Sequence, residues 1–547
     1  MKLKFIYLLV FLTFGVFAQD QVGNIQIEYG AEITEEKGKL ISIIGEANGK
    51  IYALGLKGKA NYFLKIFKSS DMSIISNNKI KLPDVKDKKL TFEDIKLLNG
   101  NVYILGSYLD RKAKQYKLEA IQVSEDGELS NNTINLFSSP VAKGSAKGNF
   151  YFKDSHDKSK LLVMHVGLYS KEDLIKYNIK LIDDKLNILA SHSEKVSYTD
   201  KYRYEFDISD FDVNNNDDVF VVTNESHLDK KKNTTFSDVK VYTFKKDNGY
   251  KREVFEIDLS GNELINCKMI ATHNNKIQLV GFYSELRKSG KSNKKLEGVY
   301  NGTIDLNSNS VLPFKFNAFD YETKVKILGE RKADKDKDLK PLYRIKNIVE
   351  KEDGGIILLS ELTYVYYGKS QGIGPLSFTP VTYTNNEIIV SSLSSNGDIE
   401  WTNVVAKKQR ASSTIVGFSL AGLGGSVGVT VSASVSFPLG VLGKGPEYLG
   451  AIPFYKDGKL SVIFNDNIKN KGLTELDDVK YIGNTNKSAL TLFEFDSNGN
   501  LNRIDSKSDE ANLLNIRPQI FFDKTSDEYI IYASKKSVDK LGRLFLK

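Results

Sequence analysis

Short runs of alternating apolar and polar residues, each closed by a tight turn rich in Asn, Asp and Gly, recur along nearly the whole chain. Two-residue turns of this kind need left-handed backbone, which Asn, Asp and Gly tolerate, so each run pairs with the next as a β-hairpin. The pattern predicts eight such hairpins, with second strands at 51–54, 102–105, 161–164, 219–222, 277–280, 356–359, 460–463 and 529–532. The turns before them include Asn48-Gly49, Asn99-Gly100, Asn274-Asn275, Asp353-Gly354 and Asp457-Gly458. Long apolar stretches of helical period are scarce, so the fold class is all-β.

A second hairpin follows in most units, with turns at Asp126-Gly127, Asp183-Asp184, Ser260-Gly261, Asn307-Ser308, Asn396-Gly397 and Asn498-Gly499. Each repeat therefore holds four strands. Starts at 51, 102, 161, 219 and 277 are 51, 59, 58 and 58 residues apart, while the later intervals of 79, 104 and 69 imply insertions. The last unit lacks an outer strand, and residues 24–29 near the N-terminus can supply it, which would close the free edge. In strand order and turn spacing residues 24–547 resemble a single β-propeller of seven or eight four-stranded blades. A pair of β-sandwich domains is the rival architecture. One tryptophan in 547 residues excludes repeat families that need one per unit, and one cysteine excludes an internal disulfide framework.

The N-terminus reads as an address. Lys2 and Lys4 precede an uncharged apolar run at 5–17, and Val16-Phe17-Ala18 fits a small-residue cleavage site. The run of 13 residues is shorter than the roughly 20 a spanning helix needs. The expected organisation is a signal peptide over 1–18, the propeller over 19–547, and an uncharged insertion within it at 411–445. Loss of the two signal lysines takes the formal charge from +8 to +6, a balance that favours solubility. Cys267, within an apolar stretch, reads as a buried small hydrophobe rather than a reactive thiol.

In a four-stranded radial blade, the turns after the first and third strands emerge on one face, and the other connections on the opposite face. Here the first set is short and the second long. The long set carries Arg111, Lys112 and Lys114; Lys230, Lys231 and Lys232; and Arg287, Lys288, Lys291, Lys294 and Lys295. These are either solvated lysines or a basic face for anionic lipid or an acidic partner. The sixth unit departs from the rest. Its long connection, 370–386, is uncharged and includes Ile373, Leu376 and Phe378, and an uncharged run at 411–443 follows its outer strand. Blade geometry places the two side by side. Within the second, Val427, Val429, Val431, Ala433, Val435 and Phe437 alternate with small residues, and Val416, Phe418 and Leu420 suggest a partner strand across a Gly-rich turn. An apolar hairpin of this kind needs a cover: the propeller itself, a second protein, or lipid or a channel interior. A two-stranded hairpin in bare lipid leaves its edges unpaired, which favours a protein-lined groove or pore.

Catalytic motifs are weak. Gly424-Gly425-Ser426-Val427-Gly428 matches the G-x-S-x-G pattern, but no histidine follows His273. Asp212, Asn214, Asn216, Asp217 and Asp218 resemble the start of a calcium loop without its later Gly and Glu, so a turn is the better reading, as it is around Gly499. Ser394 and Trp401 fit the aspartate box of sialidase propellers, whereas Asn396, Asp398 and Glu400 do not. Acidic residues are too dispersed to select a glycosidase pair, and His156, His165, His192, His227 and His273 lack metal-ligand spacing. The mixed-charge stretch 331–340 reads as a loop or short helix. Nucleic-acid motifs, a cofactor and a metal are not expected.

The leader, the lysine-rich composition and the propeller pattern together resemble envelope proteins of Bacteroidota, among them the plug subunits of the type 9 secretion translocon. That resemblance implies a non-catalytic protein of the periplasm or the inner side of the outer membrane, docked on a channel protein through its long-loop face. A glycan-binding or glycan-cleaving propeller using the central channel, and a cell-surface adhesin, are the alternatives.

Overall fold

The computed structural model describes residues 18–34, 38–58, 61–141, 147–169, 174–197, 202–229, 231, 234–287, 293–369, 371–373, 376–416, 427–431, 445–506, 514–525 and 527–547. The signal-peptide run at 5–17 lies outside them. Within them, eight sheets of four or more strands follow one another along the chain, their blade strands antiparallel. The inner strands of blades one to eight are Lys39–Ala47, Thr91–Leu98, Asn149–Asp154, Tyr202–Val213, Lys268–Ala271, Tyr343–Glu350, Ile452–Lys456 and Asn515–Thr525. Inner strands of neighbouring blades touch one another, as Lys39–Ala47 does with both Thr91–Leu98 and Asn515–Thr525, so they surround the centre. All eight predicted second strands lie next outward from an inner strand.

Turn chemistry explains the pairing. Asn48 and Gly49 take φ of 52° and 71°, and Asp457 and Gly458 take 49° and 72°, the left-handed pair that a two-residue hairpin turn requires. Alternation then presents both faces of each sheet to its neighbours. The apolar core is accordingly divided into one cluster per gap between blades. Leu162 and Met164 of the third blade pack with Phe206 and Val221 of the fourth, and Phe282 of the fifth with Leu358 and Ile389 of the sixth. Ile43 and Ile51 of the first blade meet Ile530 and Leu541 of the eighth, which closes the ring. Each buried side chain of this size contributes roughly 1.5–3 kcal/mol.

Closure is also made by backbone hydrogen bonds, since strands from near the two ends of the chain share a sheet. Ile25–Glu32 pairs antiparallel with Val538–Leu546, Ile25 opposite Leu546 and Ile27 opposite Leu544, and Ala18–Val22 adds a fifth strand. The outer strand expected from residues 24–29 is therefore present. An ion-pair latch joins this blade to the first: Arg543 Nη2 lies 2.8 Å from Glu46 Oε1, Lys524 Nζ lies 3.2 Å from Glu46 Oε2, and Arg543 also pairs with Glu528.

Two local expectations change. Ser260-Gly261 is not a hairpin turn of blade four, because it connects that blade's outer strand Arg252–Ile257 to the start of blade five. The third and outer strands of blade four are joined instead through a 3-10 turn at Lys246–Asn248, closed by left-handed Gly249 and Tyr250. The link between blades five and six forms a helix, Tyr321–Leu328, capped by Asp320 accepting from Thr323 N at 2.8 Å, and a short turn of helix at Glu330–Ala333. Cys267 is buried at 6% exposure, and burial pushes its thiol up to about 12, which leaves it protonated and inert.

Candidate functional site on the long-loop face

Blade six outgrows the ring. Its second strand, Ile356–Tyr367, has 12 residues and its third, Leu376–Leu393, has 18. Pairing with the inner strand ends where Tyr343 faces Leu362. Beyond that point Thr363–Tyr367 continues against the third strand, from Asn385 down to Val381. On the other side the third strand takes Gln409–Val416, from Phe378 opposite Val416 to Asn385 opposite Gln409. Gln371–Ile373 folds back on residues 376–378. Residues 378–383 of the first uncharged segment and 411–416 at the start of the second thus lie side by side, as blade geometry predicts. They form a three-stranded projection whose edge strand carries Val365, Tyr366 and Tyr367 at 41%, 63% and 54% exposure. A small separate core of Val381, Tyr383 and Leu449, backed by Ala411, supports its base.

A buried polar network fixes that base. Lys407, fully buried, donates from Nζ to Glu361 Oε1 at 2.7 Å, to the Asn385 carbonyl at 2.9 Å and to Gln409 Oε1 at 3.1 Å. Glu361 Oε2 accepts from Asn385 Nδ2 at 2.7 Å and pairs with Lys346 Nζ at 3.5 Å. Gln409 then receives Gly450 N at 2.7 Å and donates to the Asn465 carbonyl at 2.8 Å. Asn465 in turn donates to the carbonyls of Tyr448 and Ile516 at 3.0 and 2.7 Å. Burial alone would raise the Glu361 carboxyl, but Lys407 and Lys346 beside it hold it below its ordinary value. The chain leaves the ring at Gln409 and rejoins it at Gly450, so one network grips both ends of the insertion.

The insertion's own strand goes inward. Val427–Val431 runs parallel to the inner strand of blade four, Tyr204 opposite Val427 through Ile208 opposite Val431. In that sheet Tyr202–Val213 is the strand nearest the centre, so its partner lies on the channel side. Among the described residues of the expected hairpin, Val416 pairs with Phe378 and 427–431 with the inner strand of blade four, while 417–426 and 432–437 lie outside the described residues. Gln409–Val416 already has a long partner in its own blade, and the inner strand of blade four offers a free backbone edge that a second extended segment satisfies. Ile373, Leu376, Phe378 and Val416 have their backbone in the projection, and Val427, Val429 and Val431 in the channel strand. Phe418, Leu420, Val435 and Phe437 lie outside the described residues.

The basic residues share the face without converging. Arg111, Lys112 and Lys114 are exposed on blade two, Lys231 on blade four, and Arg287, Lys294 and Lys295 on blade five. Lys295 is partly neutralised by Asp338 at 3.1 Å. Lys230, Lys232, Lys288 and Lys291 lie outside the described residues. Along the inner strands, ion pairs step from blade to blade: Lys96 with Asp154 at 3.1 Å, Lys153 with Asp212 at 3.9 Å, and Lys268 with Asp210 at 3.9 Å. These carboxylates near the channel face lysines of the neighbouring blade.

The weak motifs resolve into turns. Asn214 Oδ1 accepts from Asn216 N and Asp218 N, while Asp217 pairs with Lys160 and Lys246, each at 2.8 Å. Asp496 similarly organises the turn around Gly499. Of the G-x-S-x-G match, 424–426 lies outside the described residues and Val427-Gly428 begins the channel strand. The Lys407 network escaped the sequence reading, since its members come from three blades. A lysine directly after the Val404-Val405-Ala406 run was the signal available for it.

No protein-family model and no curated protein sequence matches the chain. Among solved structures it is similar to the WD40 domain of SCAP from fission yeast, at 10% identity over 96% of this chain and 98% of that one, with a TM-score of 0.35. The Dos1 propeller gives 10% identity over 95% of each chain and a TM-score of 0.37. A PL25 ulvan lyase bound to its saccharide gives 10% identity over 72% of this chain and 86% of that one, with a TM-score of 0.36. The chain is a β-propeller. Its eight sheets and the core clusters between them carry that assignment, and the propeller fold serves unrelated activities.

Proposed function

We propose that this propeller is a non-catalytic exported protein that binds a protein partner at the outer membrane through its long-loop face. The observation that supports this reading is the blade-six projection, where Val365, Tyr366 and Tyr367 stand exposed in succession on an edge strand. Exposed tyrosines on a rigid strand are the side chains that anchor protein interfaces, since they carry large contact area with few rotatable bonds. The basic loops of blades two, four and five on the same face suit an acidic rim on the partner or anionic lipid headgroups. The partner we propose is an outer-membrane channel, on which the chain sits from the periplasmic side as a docked subunit or plug of the type 9 secretion kind. The test is capture from an envelope fraction with the tagged chain and with Y366S/Y367S. Recovery of an outer-membrane channel protein with the first and its loss with the second supports the reading. Equal recovery with both rejects it.

A further inference from the structure

The opposite face carries a cleft that the docking proposal does not use. It lies between blades six and seven, has a volume of about 280 Å³, and is walled by the short turns of both blades. Trp401 and Tyr455 supply aromatic walls, Ile357 and Leu460 an apolar floor, and Lys351, Glu352 and Glu400 the polar groups. Trp401 is the only tryptophan in the chain. Its indole N–H donates to the Ser497 carbonyl at 3.0 Å, and Asn403 Nδ2 to the Gly499 carbonyl at 2.9 Å, which holds the ring against the turn of the next blade.

The polar groups are arranged but not exhausted. Lys351 Nζ lies 2.6 Å from Glu400 Oε2 and 3.3 Å from Asp353 Oδ2, and Ser392 donates to the same Glu400 oxygen at 2.7 Å. Tyr455 donates to Glu352 Oε2 at 2.8 Å. Among the described residues Oε1 of Glu352 and Oε1 of Glu400 accept no hydrogen bond. Two free carboxylate oxygens accept, a lysine with one unspent N–H donates, and flat apolar walls flank them. An anion is excluded by the lining, where Glu352, Asp353, Glu400 and Asp496 face the single Lys351. An ammonium ligand would use the acceptors but, having no acceptor of its own, would leave the remaining Lys351 N–H unmatched. A hydroxyl both donates and accepts, so a ring bearing several of them uses every group present. We infer that this cleft binds a neutral sugar ring. Its volume lies just under the range of drug-sized pockets, which limits the ligand to a terminal or single ring rather than an internal stretch of polymer.

The sole tryptophan gives a direct readout, because indole emission excited beyond the tyrosine band reports on this cleft alone. The full chain is titrated through the millimolar range with glucose, galactose, mannose and N-acetylglucosamine, and in parallel with lysine and spermidine. The expected result is a saturable change in emission with at least one sugar. E352Q should raise the half-saturating concentration about tenfold while leaving thermal unfolding unchanged. Silence with every sugar, saturation by the amines instead, or a sugar response untouched by both E352Q and E400Q overturns the inference. Because the cleft and the projection lie on opposite faces, Y366S/Y367S should leave the sugar response intact, so the two proposals fail separately.

Discussion

Blades six and seven are neighbours with the same four-stranded plan, and they treat their long connection in opposite ways. In blade seven the second and third strands have 9 and 8 residues, and the connection between them is folded down onto the blade. Arg503 holds it there, pairing with Asp466 at 2.9 Å and donating to the Leu473 carbonyl at 2.7 Å, while Asn470 donates to Asp466 at 2.9 Å. In blade six the corresponding strands run on past the ring, and the buried charge, Lys407, grips the ends of an excursion that projects away. A buried cation and carboxylate anchor a loop in each case. What differs is whether the anchored chain returns to the ring or leaves it, and the candidate docking surface arises where it leaves.

The two anchors should differ most at their cations. Lys407→Met strands Glu361 without its main partner and should cost about 3–5 kcal/mol in denaturant unfolding, while Lys407→Met combined with Glu361→Leu should recover most of that loss. Arg503→Met should cost less, about 1.5–3 kcal/mol, since two of its partners, Asp505 and the Leu473 carbonyl, belong to partly exposed residues that water can reach, whereas the Lys407 partners Glu361, Asn385 and Gln409 are all buried. Equal costs would mean that the two anchors are equivalent.

The turn of blade seven that backs Trp401 offers a second contrast. Gly499 has φ of +78°, and an added Cβ would lie 2.5 Å from Trp401 Cδ2, whereas Gly458 has φ of +72° with nothing within 4 Å. Gly499→Ala combines backbone strain with a clash and should lower stability by about 2–3 kcal/mol; Gly458→Ala, with strain alone, by about 1 kcal/mol. Melting curves of the two variants check the order.

Acid should separate the anchors by sign. Burial opposes ionisation of Glu361, but Lys407 and Lys346 hold its folded pKa below the ordinary 4.5, so its contribution is present above that pH and is lost as pH falls through the folded value. Burial raises Asp466 above the ordinary 3.8 despite Arg503, so its contribution is present below that pH and is lost as pH rises through the folded value. In stability measured against pH, Glu361→Gln should flatten the acid loss, and Asp466→Asn should steepen it. The smallest effect is expected at the projection itself: Y366S/Y367S should change stability by no more than about 0.5 kcal/mol, since both rings are exposed.

Much of the ring was legible locally. The Asn-Gly and Asp-Gly turns mark hairpins because left-handed backbone is a property of two residues, and the alternation beside them marks strands whose faces meet neighbouring blades. The closing strand at 24–29 could be read because the last repeat was one strand short. Ser260-Gly261 misled because the same left-handed pair also suits a link between blades, and nothing in the dipeptide distinguishes the two uses. The cleft at Trp401 was hidden for a different reason, as its lining comes from turns of two blades about 55–145 residues apart.

Sequence alone determined the all-β repeat, the strand order within each blade and the uncharged excursion of the sixth unit, since all three depend on residues close together in the chain. Tertiary structure alone decided that 427–431 lies along the inner strand of blade four, that Lys407 grips both ends of the insertion, and that Trp401 faces the turn of blade seven. The physical reason is that a strand edge or a buried charge accepts whichever complementary group the closed ring brings within reach, and that proximity is not written in the spacing of residues along the chain.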